Sequence, residues 1–163
     1  MRFLIVDTDY PEFLEWFYSA HRGLARRCYA EQMRIRADSL FGHSDFFADN
    51  LRGLGHEAWN IHANNAFIQA AWAREHDIKH REWDVRLRRG IVPWISRTVT
   101  RRRLDAILAA QIKHYKPDVL VNRSMHWPNS VFREVKSQVH LLIGMHAARS
   151  EEHTSELQSL AYL

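Results

Sequence analysis

Polar and titratable side chains collect at the carboxyl ends of four candidate strands of this chain. Asp7, Asp9 and Tyr10 follow the apolar run at residues 2–6. His62, Asn64 and Asn65 close and follow a strand at 56–62. Asn122, Arg123, Ser124, His126 and Trp127 close and follow a strand at 118–122, and Met145 and His146 follow a strand at 139–143. Side chains of these types can hold a hydroxylated ligand through Asn and Asp, stack a ring on an indole, and take a proton from a hydroxyl. Asp9, His126 and His146 are the candidate bases. Asp7, Tyr10, Asn64, Asn122, Arg123 and Trp127 are the candidate acceptor-binding residues. Each also has a plainer alternative: Asp7 and Asp9 as caps of the next helix, His126 and His146 as loop histidines, Trp127 as core.

Several chemistries lack their signatures. D-T-D-Y-P stands where a dinucleotide-binding strand would lead into G-x-G-x-x-G, and there is no Walker A loop, H-E-x-x-H or G-x-S-x-G. The 11 histidines show no ligand spacing, so no metal site is expected. Strand alternation would put His56 and His62 on one face, but no carboxylate or thiol joins them in the sequence. Cys28 is the single cysteine, which excludes an internal disulfide and a cysteine-based zinc cluster.

The elements that must position these residues are legible from periodicity and punctuation. Continuous apolarity at Arg2–Val6 suits a strand covered on both faces. A helix is expected from Pro11, carrying Phe13, Leu14, Trp16 and Phe17, and another over Tyr29–Leu40. Ser44 is the expected N-cap of a third, with Phe47, Leu51 and Leu54 on one face and Gly55 as its stop. A strand at His56–His62 precedes a helix at Asn65–His76. Leu104, Ile107, Leu108, Gln111, Ile112 and Tyr115 trace a helical stripe that ends at Lys116 and Pro117. A strand at Asp118–Asn122, a short helix from Pro128 to about Lys136 and a strand at Val139–Ile143 complete the order. Strands alternating with helices predict an α/β fold, a Rossmann-like parallel sheet with helices on both faces. Ligands of such sheets bind beyond the carboxyl ends of the strands, where strand order reverses.

The 163 residues allow one domain with a substantial core, and 46% hydrophobic and 26% charged residues are ordinary for a globular protein. No apolar run reaches the ~20 residues of a membrane span, and acidic residues follow the short run FLIV at once, so neither a transmembrane segment nor a signal peptide is expected. The expected location is the cytoplasm. Charge is uneven: between Lys79 and Arg103 nine Lys and Arg face only Glu82 and Asp84, a net +7 against +4 for the chain. A solvated connector leading into a helix is the favoured account of this stretch, and the nucleic-acid signal is not strong. Its alternative is a stand-alone α/β binding module that uses residues 79–103 on nucleic acid or an anionic membrane. A receiver-type regulatory domain ranks last, because no Asp closes a later strand.

Residues 149–159 (R-S-E-E-H-T-S-E-L-Q-S) resemble, residue for residue, the translation of a common short-read sequencing adapter. On that resemblance residues 149–163 are expected to be a non-native tail, and 1–148 a truncated natural domain.

The opening R-F-L-I-V-D-T-D-Y-P-E-F-L, then A-R-R-C-Y-A-E-Q and L-F-G-H-S-D-F-F-A-D-N-L-R-G-L-G-H-E-A, resemble the start of bacterial CgeB-like glycosyltransferases, which are similar to the wider GT-B class. A-I-L-A-A-Q-I-K-H-Y-K-P-D-V-L-V-N and V-H-L-L-I-G-M-H-A fit the same pattern, so the resemblance runs nearly to Ala148. It implies the amino-terminal, acceptor-side half of a two-domain enzyme. It further implies that this domain binds no cofactor, that a sugar acceptor is its partner, and that a nucleotide-sugar donor sits on a carboxyl-terminal domain missing here. Transfer then needs no dedicated metal, because basic side chains and a helix N-terminus neutralise the departing diphosphate. The fragment alone is expected to be inactive.

Overall fold

The computed structural model of the chain describes residues 1–42, 45–78, 93–124 and 129–145, with residues 93–100 and 129–130 described by their backbone alone. Four strands form one sheet: β1 (Arg2–Asp7), β2 (Glu57–His62), β3 (Val119–Asn122) and β4 (Leu141–Gly144). Their order is β2-β1-β3-β4 and each neighbouring pair is parallel. The helices are α1 (Pro11–Ala20), α2 (Tyr29–Asp38), α3 (Phe46–Gly53), α4 (Ala66–Glu75), α5 (Pro93–Tyr115) and α6 (Asn129–Val135), with short 3-10 turns at Leu24–Arg26 and Lys136–Gln138.

Alternation along β1 divides the core between the two faces of the sheet. Leu4 and Val6 join Ile61 and Leu120 against Leu104, Leu108 and Ile112 of α5 and Val131 and Phe132 of α6. Ile5, flanked by Phe3, turns the other way, onto Ala48, Phe47 and Leu51 of α3. Helices therefore cover both faces, which explains why β1 is apolar throughout rather than at every second residue. Full burial of a side chain such as Leu4 or Leu120 is worth about 1.5–3 kcal/mol. Phe13 and Phe17 of α1 form a separate cluster with Leu24, against which Ile35 of α2 packs.

Local chemistry sets several boundaries. Gly55, at φ +84°, closes α3: its N–H donates to the Arg52 carbonyl and the next N–H, of His56, to that of Leu51. That pair of bonds is a Schellman ending, which needs a left-handed residue at this position. Asn65 caps α4, its Oδ1 accepting from the Ile68 N–H at 3.2 Å.

The helix α1 carries Phe13, Leu14, Trp16 and Phe17 as expected, with Phe13 and Phe17 buried and Trp16 exposed. Three expectations on these elements need correction. Leu54 falls off the α3 face shared by Phe47 and Leu51 and is 74% exposed, because the helix has already ended at Gly53. The helix α5 begins at Pro93, well before the Leu104 stripe, so part of the basic stretch is helical, and Arg101 lies 3.7 Å from Asp105 one turn on. The last strand starts at Leu141, two residues later than expected. Ser44, Pro128, residues 79–92 of the basic stretch and the tail at 149–163 lie outside the described residues. No helix among the described residues is long and apolar enough to cross a membrane.

Candidate functional site

β1 leads left to β2 and the chain returns to β3 on the other side of β1, so strand order reverses between β1 and β3. The crevice beyond the carboxyl ends of these two strands is where a ligand of such a sheet is bound. Asp7 ends β1 and Asn122 ends β3, with Arg123 next. The register is fixed by Val6 opposite Asn122 and by the Arg123 N–H donating to the Val6 carbonyl at 2.9 Å.

Arg123 reaches across this crevice. Its Nη1 donates to Asp7 Oδ2 at 3.0 Å, and its guanidinium lies 4.4 Å from the centroid of the Phe47 ring of α3. The two side chains retain 15% and 16% of their exposure. Burial raises the Asp7 pKa above the ordinary carboxylate value; Arg123, His62 and Asn60 oppose that shift without cancelling it.

A second Asp–Arg pair lies two residues further on and is closed. Arg36 of α2 donates to Asp9 Oδ1 from both Nε (3.1 Å) and Nη2 (2.6 Å), and from Nη1 to the Phe41 carbonyl (3.3 Å). The side chains of Asp9 and Arg36 are 1% and 4% exposed. The guanidinium also lies 4.8 Å from the Phe13 centroid, and His62 Nδ1, on a fully buried ring, is 3.2 Å from the same Asp9 oxygen. Burial alone would raise the Asp9 pKa, but His62 and Arg36 together bring it down to about 2. Around this centre the Tyr18 hydroxyl lies 2.8 Å from Asn65 Oδ1 and 3.0 Å from Gln32 Oε1, and Gln69 Nε2 donates to the His62 carbonyl.

The expected site residues thus separate. Asp7 and Arg123 meet at the crevice between β1 and β3, and Asn122 ends β3 just before Arg123 in the chain. Tyr10 stands at the start of α1, 68% exposed, with its ring edge towards Phe41 at 6.1 Å. Asn64 commits its side chain to the turn after β1: its Oδ1 accepts the Asp9 N–H and its Nδ2 donates to the Asp9 carbonyl. Asn122 Oδ1 likewise accepts the Ser124 N–H, shaping the turn after β3. Asp9 was expected as a base; a carboxylate this acidic, shut away from solvent and bonded to Arg36, is poorly suited to take a proton. Its observed role is to tie the turn after β1 to α2. His126, Trp127 and His146 lie outside the described residues.

Sequence reasoning missed Arg36, Gln32 and Phe47. Gln32 and Arg36 are buried one helical turn apart in α2, yet Q-M-R-I-R has the look of a solvated face. The carboxylate that the sequence did not supply to His62 comes from Asp9, brought over by the pairing of β1 with β2. Among the described residues no group of three or more His, Cys, Asp and Glu is placed to hold a metal ion.

No protein-family model, curated protein or solved structure matches this chain.

Proposed function

We propose that this chain is the Rossmann-like acceptor-binding half of a GT-B glycosyltransferase, with the acceptor sugar held at the rim between β1 and β3. The observation that carries this reading is the order β2-β1-β3-β4, which brings Asp7, Asn122 and Arg123 to the same end of the sheet as Tyr10. The resemblance of the sequence to CgeB-like glycosyltransferases supplies the reaction class. In this reading the rim orients an acceptor hydroxyl, whose oxygen forms a bond to the anomeric carbon of the donor sugar as the bond to the diphosphate breaks. The hydroxyl proton passes to a base, for which His126 and His146, which follow β3 and β4 in the sequence, are the candidates. The nucleotide-sugar belongs to a second domain across the cleft, and the cytoplasm is the matching location.

The test is to recover the reading frame downstream of Ala148 from the source genome, express the product and assay nucleotide-sugars for release of nucleoside diphosphate. The reading expects a further βα-rich domain of about 150–200 residues and acceptor-dependent release. A frame with no such domain, or release indifferent to every sugar acceptor, would count against it.

A further inference from the structure

We infer that the crevice between β1 and β3 binds the anionic group of an acidic sugar, a carboxylate or a phosphate, with Arg123 as its receptor. This rests on the acceptor-site reading above and narrows it to a substrate class.

An arginine carries five N–H donors in a planar fork that matches two oxygens of a carboxylate or phosphate. Arg36 shows a guanidinium used up: three of its nitrogens are bonded, and its partner is sealed from water. Among the described residues the Arg123 side chain donates one hydrogen bond, from Nη1 to Asp7, while its backbone N–H bonds the Val6 carbonyl. The guanidinium lies over the Phe47 ring, and the side chain keeps 15% of its exposure to water. A guanidinium that lies over a ring and spends one donor among the described residues, at the ligand-binding edge of a parallel sheet, suits a planar or tetrahedral oxyanion better than it suits a hydroxyl. Asp7 is the internal competitor. It holds Arg123 through one bond only, so an incoming oxyanion that makes two can share or displace it.

The experiment titrates the 163-residue chain with three probes, D-glucuronate, D-glucose and inorganic phosphate, by calorimetry or amide chemical shifts. Circular dichroism melts check that each variant is folded. The expected result is that glucuronate binds at least about tenfold more tightly than glucose, the scale of one charge-assisted hydrogen-bonded contact. Arg123→Gln should erase that preference, Arg123→Lys should keep part of it, and Asp7→Asn should strengthen glucuronate binding severalfold by removing the like charge. Equal binding of glucose and glucuronate, or a preference that survives Arg123→Gln, overturns the anion site while leaving the sugar site standing. Phosphate bound through Arg123 with neither sugar bound sustains the anion site and removes the acceptor-sugar reading. No binding of any probe overturns both.

Discussion

Two aspartate–arginine pairs stand two residues apart on β1 and the turn behind it, and they do opposite jobs. Asp9 and Arg36 are shut inside the junction of β1, β2 and α2, with the carboxylate bonded twice by one guanidinium. Asp7 and Arg123 sit at the open crevice between β1 and β3, joined by one bond. A buried ion pair contributes rigidity rather than reactivity, since either partner alone is a charge without solvent. A pair that keeps 15–16% of its exposure and is joined by one bond can exchange its partner. On the proposed reading, the closed pair builds the wall and the open pair faces the ligand.

The largest effect should come from breaking the closed pair. Arg36→Met leaves the buried Asp9 carboxylate without its guanidinium, with His62 still beside it, and is expected to cost about 3 kcal/mol in urea unfolding, whereas Arg123→Met, at a pair that keeps 15–16% of its exposure, should cost less. Equal losses would erase the distinction between the pairs.

Acid separates them further. Asp9 has a folded pKa of about 2 against an ordinary value of 3.8, so its stabilisation is present above 3.8 and disappears as pH falls through about 2. The amount at neutral pH is about 2 kcal/mol. Asp7 has the opposite sign: its pKa is raised, so its charged form carries a cost at neutral pH that fades as pH falls towards 3.8. Denaturation profiles against pH should therefore lose the Asp9 acid limb in Asp9→Asn and keep it in Asp7→Asn.

Smaller effects sharpen the boundary of the closed region. Asn65→Ala removes the α4 cap and a partner of Tyr18, and thermal unfolding should show a loss of about 1 kcal/mol. Asp7→Asn should be neutral or slightly stabilising at pH 7, because the charge it removes is one the folded state disfavours; a clear loss of stability would contradict the account of Asp7.

Much of the fold was legible because parallel strands buried on both faces leave unbroken apolar runs, as at residues 3–6 and 119–121. The early start of α5 was not, since the arginines at 97–103 hide any apolar stripe ahead of Leu104. The rim residues Asp7 and Arg123 were legible from their places at strand ends, but not their pairing, which spans 116 positions of sequence. Asp9 looked like a base because nothing local shows that Arg36, 27 positions away, neutralises it. Pairings of that range are set by topology, and topology is fixed by packing rather than by any one residue.

Mapping backbone amide shifts of the isotope-labelled chain during a glucuronate titration tests the central claim most directly. Shifts should concentrate at Asp7 and at Asn122–Ser124, with the amides of Gln32 and Arg36 in α2 unmoved. Shifts centred on α2, or spread evenly over the sheet, would contradict the assignment of the open pair as the ligand-facing one.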